Sequence, residues 1–500
     1  MSNVPNSWAL IFSLLAAIGA IWYHSGNLQT CLPSCCTSSI FSSPHYASWN
    51  SWFHPARSGI PGGRTGPSEN DWNLLYHLGG NGPWIEKVGD AELDGIDPPR
   101  GCSVDQVHMM SRHAERYPTT SAGTRHLDLI NRIQEANFVL NGSLSFLNNW
   151  TYFTDDPRKD FDQLTRTGPY AGTLQAFTTG VRFLTRYAHL LPQGAHTRFW
   201  ASDSERVIES ARYFATGLFG LDWESGGKAT LEIIPETLDR RADTLTPGDT
   251  CLRYLEDTVT GHDMGVNMLG RFQQTYIPPI ARRLVDNENN GGLGLLSNLE
   301  VYSMQEMCGF ETIARGSSPW CDVFTHEDWK NFEYARDLIH YYRAGPGNPY
   351  AGTMGWLWLN ATNSLLHAGP EAGTMFFSFV HDGDIAPFLT ALDILKDDKY
   401  DPDLPTTHAV PDRVWRTSSV MPMGGRIVLE RMSCSSSAYV RVSINDRTVP
   451  LPYCQTGPGR SCPLREFAGH VERRRREVGE YGEVCGLEDV EEGGITFLRQ

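Results

Sequence analysis

The chain lacks a surplus of positive charge: 42 Lys and Arg stand against 58 Asp and Glu, a net charge of −16. That excludes the basic face that a nucleic-acid binder needs and favours solubility. Internal repeats are absent, and no CxxC pair recurs to mark a zinc site. Trp8–Tyr23 is almost unbroken in apolar residues but falls short of the ~20 residues of a membrane span, and no Lys or Arg precedes it. It fits the core of a signal peptide or a short signal anchor over residues 1–25, with a buried N-terminal helix as the alternative. From 26 to 100 the chain is rich in Gly, Pro and Ser without periodicity, which predicts an irregular segment. The folded body is expected to begin near Cys102.

Export agrees with the cysteines. Eight lie in the body: Cys102, Cys251, Cys308, Cys321, Cys434, Cys454, Cys462 and Cys485. An even number in an exported chain points to disulfides, whose pairing the spacing alone leaves open. Cys31, Cys35 and Cys36 cluster near the start and leave the total odd. Asn141, Asn149 and Asn360 head glycosylation sequons. These features place the protein outside the cell or at its surface, anchored there if Trp8–Tyr23 is retained. Five hundred residues allow a large core with a second lobe.

Three segments share one pattern of apolar strand, polar turn and helix. Val104, Val107, Met109 and Met110 predict a buried strand that runs into Arg112, His113, Ala114, Glu115 and Arg116, with a helix after it on Leu127, Ile130 and Ile133. Phe199–Ala201 leads into Ser202–Arg206 and a helix faced by Val207, Ala211, Phe214, Ala215 and Leu218, for which Ser and Asp are natural caps. Met375–Val380 stops at His381-Asp382-Gly383-Asp384, and a helix follows from Ile385. Residues 249–345 read as mostly helical and house much of the second lobe. Arg426–Glu430 and Tyr439–Ile444 read as a hairpin, and Arg473–Arg476 as a solvated helix face.

Strand ends of one parallel sheet converge on one edge, so Arg112, His113, Arg116, Arg206, His381 and Asp382 can meet there. Three arginines around one point repel one another unless a dianion sits between them. Phosphate fits best, because guanidinium groups grip it bidentately. His113 can attack phosphorus, Asp382 can protonate the leaving oxygen, and the arginines with His381 can neutralise the phosphoryl oxygens. The arginines supply the positive charge, so the chemistry needs no metal and no cofactor. Each residue alone also has an ordinary structural reading; Asp384 is best read as a helix cap and Glu205 as a first-turn helix residue.

On these motifs the chain resembles the histidine acid phosphatases, whose hallmark is Arg-His-Gly-x-Arg-x-Pro near the start and His-Asp far downstream. Here they are Arg112 to Pro118 and His381-Asp382. Leu245–Cys251, Gly345–Pro349, Phe379–Gly383, Glu430–Cys434 and Asn445–Arg447 are similar to segments of the fungal branch of acid phosphatases and phytases, so the likeness spans about Cys102 to Cys485. It implies a catalytic region over 101–490 with an α/β fold: a phosphoglycerate-mutase-like large α/β domain, a smaller mostly α-helical domain, and the active site in the cleft between them. It also implies His113 as phosphorylated nucleophile, Asp382 as proton donor, and Arg112, Arg116, Arg206 (rather than Arg198) and His381 as phosphate ligands. Thr119 and Glu115 are candidate substrate contacts. The family's pairing implies Cys102–Cys434, Cys251–Cys485, Cys308–Cys321 and Cys454–Cys462.

Ala114 departs from the family's glycine, and a left-handed backbone there would be strained by its methyl group. Glu115 at a pocket mouth would disfavour a highly phosphorylated inositol, which favours a broad acid phosphatase over a phytase as the reading of substrate. A phosphate-binding surface glycoprotein without turnover, and a metallohydrolase, are the rival classes.

Overall fold

The computed structural model describes residues 72–87, 97–191, 196–487 and 494–500. The leader, Cys31, Cys35, Cys36 and most of the irregular N-terminal segment lie outside these ranges. No helix among the described residues is long and apolar enough to cross a membrane.

The elements that position the site are, in chain order, β1 (Cys102–Arg112), α1 (Thr120–Glu135), α2 (Gly172–Tyr187), β2 (Thr197–Ser202), α3 (Glu205–Phe219) and β3 (Ala229–Ile234). A helical stretch follows, with α4 (Met264–Arg282), α5 (Asn298–Arg315), α6 (His326–Ala344) and α7 (Ala351–Ala368). The chain then forms β4 (Met375–Val380), α8 (Asp382–Ala391), β5 (Arg426–Cys434), β6 (Ser437–Ile444), β7 (Arg447–Thr448), β8 (Cys462–Pro463) and α9 (Leu464–Val478).

One mixed sheet runs β3-β2-β4-β1-β5-β6-β7, with β8 on β6. β3, β2, β4 and β1 are parallel, whereas β5 returns antiparallel beside β1. The central position of β4 explains its sequence: all six residues are buried, as a parallel strand covered on both faces requires. β1 alternates. Val107 and Met109 join Phe183, Phe214 and Phe377 in the core under α2 and α3, while Met110 joins Trp200 and Phe376 in the larger core on the helical side. Helices α2 and α3 approach closely through facing glycines: a Cβ on Gly180 would lie 2.1 Å from the Phe214 carbonyl oxygen, and one on Gly217 2.1 Å from that of Phe177.

The expected helices and the hairpin form with shifted details. Leu129 rather than Leu127 completes the buried face of α1. Ser204 occupies the N-cap of α3 without a side-chain cap bond. Helix α8 starts at Asp382, because the Asp384 carboxylate accepts from the His381 backbone N–H at 2.9 Å. The basic run lies on α9, where Arg474, Arg475 and Arg476 pair with Glu477, Glu480 and Glu472. All four implied disulfides are present.

The start of the folded body needs correction. Residues 72–87 belong to it, with Leu78, Trp84 and Ile85 buried in the same structure as the sheet. Asn73 caps a helical turn at Leu74–His77, and the segment then crosses the body as a strap. The sequence masks this because Gly and Pro dominate around a few buried apolar residues.

At Gly172, the first residue of α2, a Cβ would lie 1.9 Å from the Glu115 carbonyl oxygen. Gly172→Ala is therefore expected to cost at least about 2 kcal/mol by overpacking, read as a lower midpoint in denaturant unfolding.

Candidate active site

The site is built at the carboxyl ends of β1, β4 and β2, where the parallel part of the sheet meets the helical side. Arg112 ends β1 and is 1 % exposed. One of its terminal nitrogens, Nη1, donates to the carbonyls of Gly80 in the strap and Met421 at 2.9 and 2.8 Å. The other, Nη2, pairs with Asp382 Oδ2 at 2.8 Å. This guanidinium thus ties together the strap, the turn before β5 and the start of α8.

His113 follows, buried, with Nδ1 2.8 Å from the Ala114 carbonyl oxygen. A carbonyl only accepts, so Nδ1 carries the proton and Nε2 keeps its lone pair. Burial, then the charges of Arg112, Arg116, Arg206 and His381, hold the ring well below the usual imidazole value of 6.5. The ring is therefore neutral and nucleophilic in mildly acid solution.

Arg116 is buried, donates to the Tyr117 carbonyl at 2.8 Å, and lies 5.9 Å over the Phe310 ring. Burial and the neighbouring Arg206 and Arg112 push it down to about 9. Arginine does not give up its proton, so this depression measures how strongly the cluster repels itself and how much an anion would relieve it. The Nε atoms of Arg112, Arg116 and Arg206 are all buried without a hydrogen-bond partner. Arg206, in the first turn of α3, donates from Nη2 to His381 Nδ1 at 3.2 Å and lies 3.8 Å from Asp162. The His113 and His381 rings meet edge to face with centroids 5.9 Å apart.

Asp382 feels opposed influences. Burial raises it, but Arg112, His340, Arg343 and His113 outweigh that and hold it well below the usual carboxylate range. Sequence reasoning missed His340 and Arg343, which come from the helical side. Arg336, His340 and Arg343 follow one another at helical spacing on α6; Arg336 donates to His340 at 2.9 Å, and Arg343 lies 3.9 Å from Asp382. A basic stripe on an otherwise buried helix was the available signal. Glu236, 2.8 Å from His381 Nε2, was also missed, since it stands alone in the loop after β3.

All six proposed chemical residues come together, but Glu115, one of the two candidate substrate contacts, is turned into the strap. Glu115 is 1 % exposed, and its carboxylate accepts from the Trp84 N–H of the strap at 2.7 Å. The specificity argument built on it therefore falls. Thr119 is the N-cap of α1 and accepts from the Ala122 N–H. Arg198 lies apart, 3.7 Å from Glu232. Of the sequon residues, Asn141 and Asn149 are exposed and Asn360 is half-buried on α7.

The expected strain at Ala114 is also corrected. Ala114 is not among the described residues with positive φ. Its methyl group packs with Leu164 and Ala176, and its N–H donates to Ser210 Oγ at 2.9 Å. A β-carbon fits because the loop turns without entering the left-handed region.

A neutral histidine among buried arginines at a strand end, with an aspartate on the next strand's helix, defines a phosphoryl-transfer pocket of the histidine phosphatase kind. The family model for the histidine phosphatase superfamily (branch 2) matches residues 103–445, and the chain belongs to that family. A phytase of Candida albicans is 35 % identical over 433 residues, covering 86 % of this chain and 90 % of that protein. A constitutive acid phosphatase of Saccharomyces cerevisiae is 33 % identical over 429 residues, covering 84 % and 87 %. Among solved structures, the phytase from D. castellii superposes with a TM-score of 0.79 at 30 % identity, covering 86 % of this chain and 91 % of that one. The fold is thus that of the histidine acid phosphatases and phytases.

Ala114→Gly, which restores the family's residue, is expected to leave turnover within about twofold. It is expected to cost about 1 kcal/mol through the lost methyl packing and the freer unfolded chain. Parallel measurement of aryl phosphate hydrolysis and unfolding checks both.

Proposed function

We propose that this protein is an acid phosphatase that hydrolyses phosphate monoesters through a phosphohistidine on His113. The observation that carries the reading is the neutral His113 ring, its Nε2 lone pair held free, inside a cage of the buried Arg112 and Arg116 and the half-buried Arg206. The phosphoryl oxygens take the arginine donors. His113 Nε2 then attacks phosphorus as the bond to the ester oxygen breaks, and Asp382 passes its proton to that oxygen, so an alcohol leaves. In the second step water attacks phosphorus, Asp382 takes the water proton, the P–N bond breaks and inorganic phosphate departs. Asp382 must be protonated for the first step, although Arg112 holds it ionised. A phosphoryl dianion takes up the charge of Arg112 and its neighbours, which leaves burial free to raise the carboxyl.

The substrate range we favour is broad. Carboxylates flank the pocket, Asp162 beside Arg206 and Glu236 beside His381, and they oppose a ligand carrying many phosphates. The phytase reading keeps the same chemistry and draws on the likeness to the C. albicans and D. castellii phytases. Four disulfides suit an extracellular or cell-surface setting.

Phosphate release from an aryl phosphate and from phytate, each with chelator present, tests the range; faster turnover of phytate would reverse the preference. His113→Ala is expected to abolish release with the fold intact, and Asp382→Asn to lower kcat by about 10²–10⁴-fold. Because the depressed His113 stays neutral above its own pKa, the acid limb of kcat/KM should lie well below pH 6.5. A limb near 6.5 would remove His113 as the nucleophile.

A further inference from the structure

His381 sits between a cation and an anion. Its Nδ1 lies 3.2 Å from Arg206 Nη2 and its Nε2 lies 2.8 Å from Glu236 Oε1. A guanidinium only donates and a carboxylate only accepts, so Nδ1 is the acceptor and Nε2 carries the proton. The ring is then the neutral tautomer, with its nitrogen on the Arg206 side occupied by that arginine. In this form it offers nothing to a phosphoryl oxygen. It becomes a donor only if Arg206 turns to the oxygen and Nδ1 takes a proton from solvent.

Three carboxyls besides Asp382 surround this ring, and they are not equivalent. Asp384 binds the His381 backbone N–H, yet burial and the neighbouring Asp249 and Glu236 push it well above the usual carboxylate range. Burial and Glu236 raise Asp249 as well. Burial also raises Glu236, but its bond to His381 and the charges of His381 and Arg206 outweigh that and leave it lowered. The other charged and titratable groups in this field are Arg206 from α3 with Asp162 3.8 Å from it, Arg343 from α6 and the His113 ring after β1. Glu236 is thus the carboxylate in direct contact with the ring, and its lowered value keeps it charged in acid solution.

Resting on the phosphatase reading above, we propose that Glu236 is a positioning residue: its carboxylate fixes the tautomer of His381 and stabilises the imidazolium through which His381 grips the phosphoryl group. Glu236 itself touches no substrate. Its contribution appears when the anion arrives, as the ring changes from acceptor of Arg206 to donor to phosphate. The same contact extends the pocket to the loop after β3, at the edge of the sheet.

The test compares the full-length wild type with Glu236→Gln and Glu236→Asp, using an aryl phosphate as substrate and inorganic phosphate as inhibitor. The glutamine can still accept from Nε2, so orientation and thermal midpoint should hold while the charge is lost. KM and the phosphate inhibition constant should each rise about tenfold while kcat changes far less, because the lost charge weakens the grip on the phosphoryl group. Glu236→Asp, which keeps the charge, should bring both constants back toward the wild type. An active wild type beside a Glu236→Gln variant with unchanged KM and phosphate inhibition would overturn this role alone. A folded wild type that releases no phosphate from the aryl ester would overturn the phosphatase reading, and this inference with it.

Discussion

Gathering like charges in a buried place is the constraint on which the rest of this structure depends. Arg112 and Arg116 are each lowered by burial and by their arginine neighbours, Arg206 among them, because burial removes the water that would screen these charges. The fold offsets this with fixed acceptors: the Gly80 and Met421 carbonyls and Asp382 around Arg112, the Tyr117 carbonyl and Phe310 face for Arg116, and His381 for Arg206. Those acceptors come from segments far apart in the chain. The parallel strand ends, the strap and α6 are the means of bringing them together.

The same charges set the protonation of the groups among them. A histidine surrounded by cations stays neutral, and an aspartate paired with one stays ionised. Both effects reverse in part when an anion enters, so the pocket is arranged for its ligand-bound state. The small neighbours serve this arrangement. Ser210 accepts from the Ala114 N–H and donates to the Arg206 carbonyl at 2.6 Å, which joins the His113 loop to the helix bearing the third arginine. Thr165 donates its backbone N–H to the Glu115 carbonyl at 3.0 Å and accepts from Gly172 through its hydroxyl.

Much of this was legible in the sequence, for identifiable reasons. β4 announces itself because a strand buried on both faces must be continuously apolar, and the turns after β1, β2 and β4 because charged residues abruptly follow such runs. The strap escaped because its buried residues are few and its main contribution is backbone carbonyls, which any residue supplies. Glu236 escaped because an isolated glutamate has no pattern. Glu115 was placed on the wrong side because direction within a loop depends on what packs against it, here the Trp84 amide.

The order of the strands has a consequence in time. β1 occupies the middle of the sheet, yet its neighbours β4 and β5 lie near the other end of the sequence, and Cys102 meets Cys434 across 332 positions. While the chain is being synthesised from its N-terminus, the strand that leads into His113 emerges early and waits for partners made much later. Its apolar faces and unpaired edges stay open throughout that interval, the situation in which nascent chains aggregate or need chaperones. Catalytic competence therefore waits for the chain from β4 to the turn before β5, which supplies His381, Asp382 and the Met421 carbonyl.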